Sequence, residues 1–315
     1  MARYLLIDVG GTFIKYALSD ENAEFLEQGK VPTKRDSLEE FMEAMYSVCD
    51  LYKGKIDACA LSMPGRIDTA NGIAVTAGAM TMIMPQNYPI GQKLSEYLGC
   101  PVTVGNDGKC AAQAEAWKGA LKDCANGLVI VFGTGIGGGI VIDHRVYLGS
   151  HFAAGELSEV LYDSPMLENG FDMSNIMNIL TNPSPFWTSY SAASFLLADF
   201  ARRKGQPFGT YTGEQVFESY RAGDEDAIAT LQKFADQTAC GIFNIQSIMD
   251  VETVAVGGGI SGAPELLPLL QKSLDKVFDS LTFALPMVKP KLVKCRYGAD
   301  ANLIGALKLH HDRVK

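Results

Sequence analysis

Glycines and carboxylates at the ends of apolar runs are the residues of this sequence best placed to do chemistry. Three clusters, Gly10-Gly11-Thr12, Gly133-Thr134-Gly135-Ile136-Gly137-Gly138-Gly139 and Gly257-Gly258-Gly259, each follow a strand-like segment. Glycine reaches positive φ without strain and lets a bulky anion approach the backbone amides, so such turns make phosphate cradles. A tight hairpin turn is the plainer alternative for any one of them. Gly133, Gly135 and Gly138 also match the dinucleotide spacing G-x-G-x-x-G, but that motif must open a helix whose N-terminus faces a pyrophosphate. Here Gly139 runs into Ile140-Val141-Ile142, another strand, and no G-x-x-x-x-G-K-[ST] occurs. Two acids join the glycines: Asp8 near the end of the first apolar run, and Asp107 between a strand end and a helix start. A carboxylate at the second place can point into a cleft or simply cap the helix.

The elements that must hold these residues follow from periodicity. Residues 4–9 and 13–18 read as a hairpin. Ser37 with Glu40 three residues on makes a helix start, and Leu38, Phe41, Met42, Met45 and Val48 recur at helical spacing until Lys53-Gly54. A strand is expected over 56–62, a loop-rich stretch over 63–88, a helix over 90–98, a strand over 102–105 and a helix over 109–120. The plan then restarts: a strand at 128–132, a glycine turn at 133–139 and a second strand at 140–142, so IDVGGTFIKYAL and VFGTGIGGGIVI make two strand–turn–strand units. After an irregular stretch at 162–187 come helices at 191–204 and 225–249, a strand at 254–256 and a closing helix at 301–309. This is an α/β chain of two similar halves facing a cleft, with no Pro/Ser/Gly-rich linker between them.

Composition narrows the function. The 315 residues favour two domains, and 27 Lys+Arg against 36 Asp+Glu give a net charge of −9, which argues against a nucleic-acid surface. With 47% apolar residues and 32 glycines the chain reads as globular. No apolar stretch reaches the roughly 18 residues of a membrane span, and Asp8 interrupts the N-terminus before a signal-peptide core, so a cytoplasmic protein is expected. The seven cysteines stand singly, without C-x-C or C-x-x-C pairs, and the four histidines have no cysteine neighbours. No structural zinc is expected.

Taken together, Asp8-x-Gly10-Gly11-Thr12-x-x-Lys15, Ser62-x-Pro64-Gly65-x-Ile67-Asp68, Gly105-Asn106-Asp107, Gly133 to Gly139, Gly155-Glu156 and Gly257-Gly258-Gly259-Ile260-Ser261 resemble the ROK family of repressors, open reading frames and sugar kinases, in the family's order from residue 8 to 307. The resemblance implies an actin-like, ribonuclease H-like fold with an interdomain cleft, its first domain formed by residues 1–118 with about 300–315 and its second by 119–299. It implies ATP and Mg²⁺ in the cleft and a sugar phosphorylated on its 6-hydroxyl: glucose, N-acetylmannosamine or a β-glucoside. In it, Asp107 is the base that takes the hydroxyl proton, Asn106 bonds a neighbouring hydroxyl, and Asp8 organises Mg²⁺ through water. Gly10, Gly11, Thr12, Lys15, Gly133, Thr134 and Gly135 lie near the ATP phosphates, Gly258 and Gly259 border the adenosine, and Gly65, Glu156 and Glu159 meet the sugar. A homodimer is implied as well.

The departures from that family define a branch of it. Many members carry G-E-x-G-H and then C-x-C-G-x-x-G-C-x-E, whose histidine and cysteines bind zinc. Here Glu159 stands where the histidine is expected, and prolines and aromatics at 182–188 replace the cysteine box. This resembles the zinc-free β-glucoside kinases and some N-acetylmannosamine kinases. Phe186-Trp187 form either an apolar wall at the sugar pocket or part of a core. The alternatives to a kinase are a sugar-responsive regulator and a sugar-binding protein without turnover. Regulators of the family carry a helix-turn-helix ahead of the first strand, and only three residues precede Tyr4, so the kinase is the expectation.

Overall fold

A computed structural model describes residues 2–162, 185–281 and 287–314. Two five-stranded sheets share one plan. The first runs β3 (Phe25–Pro32), β2 (Phe13–Ser19), β1 (Tyr4–Val9), β4 (Ala58–Met63), β7 (Val102–Asn106), and the second runs β10 (Arg145–Tyr147), β9 (Ile136–Ile142), β8 (Gly127–Phe132), β11 (Thr253–Gly258), β12 (Lys291–Lys294). In each, three antiparallel strands begin the sheet and two parallel strands complete it. The strand–turn–strand repeat legible in the sequence is thus the start of a repeat that covers whole sheets. A small hairpin of β5 (Ile67–Asp68) and β6 (Ile73–Ala74) stands outside both.

Burial explains the strand patterns. Every residue of β4 is buried, as a parallel strand covered on both faces demands. The edge strand β3, FLEQGKVP, alternates between half-buried and exposed over much of its length, and its polar composition hides it from a search for apolar runs. Helix α1 (Leu38–Tyr52) starts where expected, with Ser37 Oγ accepting the Glu40 amide at 3.1 Å. Helix α2 (Ile90–Leu98) ends on Gly99 in the left-handed region at φ 74°.

The second half carries a short α4 (Thr188–Ser191), then α5 (Ala193–Arg203), α6 (Gly213–Arg221), α7 (Glu225–Met249) and α8 (Leu266–Leu281). Their apolar faces meet the second sheet in a core that includes Phe132, Phe200 and Phe234. Trp187 belongs to that core, fully buried, and a Cβ on Gly241 would lie 2.1 Å from its ring. It therefore packs the interior of the second half; residues 182–184 lie outside the described residues.

One expectation is corrected by the backbone. The glycine turn read over 133–139 ends at Gly135, because Ile136 already pairs with Phe132 in β9. Helix α3 (Asp107–Lys118), which lies directly against β9, explains Gly139, and the neighbouring strand β8 explains Gly138. A Cβ on Gly139 would lie 2.6 Å from Ala112 Cβ, and one on Gly138 2.1 Å from the Val129 carbonyl oxygen. The last helix, α9 (Ala301–Arg313), returns to cross α3 and to cover β1, β4 and β7. At the crossing a Cβ on Gly305 would sit 1.6 Å from the Cys110 carbonyl oxygen, so glycine alone permits it. Helix α3, which contacts strands of both sheets, is the common support of the two halves. No helix among the described residues is long and apolar enough to cross a membrane.

Candidate active site

The turn from β7 into α3 places two of the expected residues. Asn106 is the N-cap: its Oδ1 accepts the Lys109 amide at 3.0 Å, which leaves Asp107 as the first helical residue. The Asn106 amide donates to the Gly65 carbonyl at 2.9 Å and to Asp107 Oδ1 at 3.0 Å. Gly65 holds φ 96°, and a Cβ there would lie 2.4 Å from the Thr76 carbonyl oxygen. Gly65, Asn106 and Asp107 are thereby one bonded unit.

Asp107 Oδ1 also accepts the Gly108 amide at 2.8 Å. Burial pushes its carboxyl up to about 6, with the Asp8 and Glu156 charges acting in the same direction against the Gly108 amide and Lys109. A carboxylate in that range is ionised near neutral pH and basic enough to take a proton from a hydroxyl as it reacts.

Asp8 is buried near the end of β1, opposite Lys15 on β2 and Ser62 on β4. Its Oδ1 accepts both the Ser62 hydroxyl and the Asn302 amide, each at 3.0 Å. Burial raises this carboxyl, and the two hydrogen bonds and Lys15 pull it back. Asp8, Lys15, Gly258 and Asn302 line one cavity of about 150 Å³, so both sheets and α9 contribute to it. No group of three His, Cys, Asp or Glu that could enclose a metal occurs among the described residues. One buried carboxylate with neutral hydrogen-bond partners is a donor set compatible with a cation that keeps water and takes its other oxygens from a phosphate, the habit of Mg²⁺.

Gly133 and Gly259 line a second, larger cavity of about 640 Å³, together with Thr212, Phe217, Arg221 and Ile260. Gly258, between the two cavities in sequence and at φ 95°, lies so close to β8 that a Cβ would be 2.1 Å from the Phe132 carbonyl oxygen. Ser194 secures the Gly133 turn through its hydroxyl, which donates to the Thr134 carbonyl at 2.6 Å. On the first sheet the Gly10 turn is fastened by Thr33, which donates to the Gly10 and Thr12 carbonyls. Gly11, Thr12, Gly133 and Thr134 are exposed and Gly135 half-buried.

Glu156 is half-buried and ion-paired to Lys109, while Glu159, at the end of the next 3₁₀ turn, is exposed. The structure joins Asp107, Asn106 and Gly65 by direct bonds and brings Glu156 to them through Lys109, while Glu159 meets Glu156 only through its backbone amide, which donates to the Glu156 carbonyl at 3.0 Å. Sequence reasoning missed Ser62 as an Asp8 partner, Asn302 and Lys109. A lysine inside the first helical turn after two polar residues was the one available signal, since its partner lies 47 positions away.

The ROK family model matches residues 4–172 and 196–313. The chain belongs to the ROK family. A β-glucoside kinase from Klebsiella pneumoniae is 30% identical over 301 residues, covering 95% of this chain and 93% of that protein. An N-acetyl-D-glucosamine kinase from Haemophilus influenzae is 27% identical over 310 residues, covering 97% and 98%. Among solved structures, a ROK family glucokinase from Streptomyces griseus in complex with glucose and AMPPNP superposes with a TM-score of 0.79 at 22% identity, over 98% of this chain and 99% of that one. The paired five-stranded sheets are accordingly the actin-like fold of the ROK sugar kinases, and the Asp107 turn and the two glycine-bordered cavities are features of a ROK chain.

Proposed function

We propose that this ROK chain is an ATP-dependent sugar kinase that transfers the γ-phosphoryl group to the 6-hydroxyl of a hexose or a β-glucoside. The observation that carries the reading is Asp107: a half-buried carboxylate raised to about 6, first in a helix between the two sheets, with its cap residue bonded to Gly65. The sugar-kinase names of relatives over the whole length support it.

In this reading Asp107 accepts the hydroxyl proton as the hydroxyl oxygen bonds to the γ-phosphorus and the bond to the β-phosphate oxygen breaks, releasing ADP. Asn106 and Glu156 hold adjacent hydroxyls, Gly65 shapes the floor beneath them, and Glu159 lies at the outer rim. Gly10, Gly11, Thr12, Gly133, Thr134, Gly135 and the Lys15 ammonium border the phosphates; the Gly10 and Gly133 amides close their own turns on the Phe13 and Gly135 carbonyls, and the amides of Gly11, Thr12, Thr134 and Gly135 are the dipoles assigned to developing charge. The adenosine takes the larger cavity, lined by Gly259, with Gly258 bordering it from the lining of the smaller one. Mg²⁺, when bound, neutralises phosphate charge; Asp8 would anchor its water shell, with Ser62 and Asn302 fixing the carboxylate. Residues 1–118 with about 300–315 form one domain and 119–299 the other, and their closure excludes water. A homodimer is proposed for the assembled protein.

The test is ADP release with glucose, N-acetylmannosamine, N-acetylglucosamine, fructose, allose and cellobiose as acceptors. Sugar-dependent turnover with at least one, abolished in Asp107→Asn, is expected. Sugar binding without turnover across the panel would point to a sugar-binding protein instead.

A further inference from the structure

Lys109 stands apart from every other cation of the protein. It is the one buried lysine or arginine among the described residues, its side chain 5% exposed. It lies on the same helical turn as Asp107, yet its ammonium reaches Glu156 Oε1, in the loop that follows the second sheet's first three strands. Its backbone is engaged as well, because its amide donates to Asn106 Oδ1 while Asn106 holds Gly65 and Asp107. One residue therefore ties the Gly65–Asn106–Asp107 unit to Glu156 through both its backbone and its side chain.

Charge gives this link a direction. Asp8, Asp107 and Glu156 converge at the site, and the Asp8 and Glu156 charges both push the Asp107 carboxyl up. A buried lysine sacrifices hydration and is retained only where a partner compensates it. Here it meets one oxygen of Glu156, so the second oxygen is left to accept from a hydroxyl in a fixed orientation. Without the ammonium, Glu156 loses its anchor and faces Asp107 as an uncompensated like charge.

We infer that Lys109 is a positioning residue for the acceptor sugar: it clamps Glu156 in the orientation that receives the sugar hydroxyls beside Asp107. The inference rests on the kinase reading for its substrate and adds a residue that reading does not need. Lys109 also lines a cavity of about 710 Å³, together with Gln113, Arg145 and Asp312.

The test compares wild type with Lys109→Met, which keeps the length and loses the charge, Lys109→Arg, which keeps the charge, and Glu156→Gln. Sugar KM, ATP KM and kcat are read from ADP release, sugar affinity from calorimetry, and folding from the melting temperature. For the best acceptor of the panel, Lys109→Met is expected to raise sugar KM and Kd at least tenfold while ATP KM stays within twofold. Lys109→Arg should restore most of that loss. Lys109→Met combined with Glu156→Gln should bind sugar no worse than the weaker single variant, as expected of residues that act as one unit. Unchanged sugar affinity in Lys109→Met, an equal rise in ATP KM, or additive losses in the double variant would each overturn the clamp. Affinity is read apart from turnover, so a wild type that binds sugar and releases no ADP refutes the kinase reading alone, and the clamp is still judged by the variants' Kd.

Discussion

Asn302 donates its side-chain amide to Asp8 Oδ1 at 3.0 Å, so the first strand and the last helix, 294 residues apart, share one carboxylate. Asp8 is half of a device whose other half is supplied at the far end of the chain. If Asp8 anchors hydrated Mg²⁺, Asp8→Asn lowers kcat/KM by roughly 100-fold or more, as removal of a group that organises transition-state charge does. Asn302→Ala leaves the charge but frees its orientation, and the expected loss is about tenfold with a higher Mg²⁺ concentration at half-saturation. Mg²⁺ titrations of initial rate check both, and an unchanged Mg²⁺ dependence in Asp8→Asn defeats the assignment.

Asp107 makes opposite predictions for activity and stability. As a base it must be ionised, so kcat/KM falls as pH drops through about 6, and Asp107→Asn reduces kcat by roughly 10²–10⁴. For stability the sign runs the other way. Between the ordinary carboxylate value and about 6 the folded chain holds a proton that the unfolded chain has released, so stability falls as pH rises through that window. Above it the buried ionised group is a standing cost, which Asp107→Asn removes. The variant should melt higher than wild type at pH 7.5, by a margin that shrinks at pH 5. Thermal scans at the two values decide it, and a variant that melts lower at pH 7.5 rules out the buried-charge account.

Much of the fold is readable in the chain, for physical reasons that also mark the limit. Helices α2 and α7 follow from apolar spacing between strong boundaries, Gly99 closing one and Asp224 capping the other. Strand β3 escapes because an edge strand can be polar. The first half of β9 escapes because glycine in a strand looks like a turn until a helix is seen lying on it. Asp107 reads as a possible helix cap, and the cap is Asn106, one residue earlier. Ser62 and Asn302 around Asp8, and Lys109 on Glu156, are contacts between distant segments. Local spacing does not give the partners in any of these contacts.

Gly258 tests the border between the two cavities. Its φ is 95°, and a Cβ there would stand 2.1 Å from the Phe132 carbonyl oxygen, which leaves no room for alanine without moving β11 off β8. Gly258→Ala should therefore weaken nucleotide binding more than tenfold and lower the melting temperature, while leaving the Asp107 turn on the first sheet in place. Titration with a fluorescent ATP analogue reads the first effect. Wild-type nucleotide affinity in a folded variant would show that this glycine does not shape the nucleotide site.

Glu115 offers a prediction that does not depend on the reaction. Its carboxylate is 1% exposed and accepts three backbone amides: Arg296 at 2.8 Å and Tyr297 at 3.0 Å on Oε1, and Ala120 at 2.7 Å on Oε2. Ala120 lies where the chain leaves α3 for the second sheet, and Arg296 and Tyr297 where it returns from β12 toward α9. One side chain thus fastens both passages between the sheets. The Lys118 carbonyl reinforces the join by accepting from the Arg296 guanidinium and the Tyr297 hydroxyl, each at 3.1 Å. Glu115→Ala takes the acceptor from three amides of half-buried or exposed residues, and with ~1–3 kcal/mol as the limit for a fully buried group the loss is about 2–3 kcal/mol in all after water reaches part of them. Glu115→Gln keeps one acceptor oxygen and turns an NH₂ toward the other amides, so it falls between alanine and wild type. Urea unfolding gives the order directly, and a Glu115→Ala midpoint equal to wild type would mean that the two passages are held by packing alone.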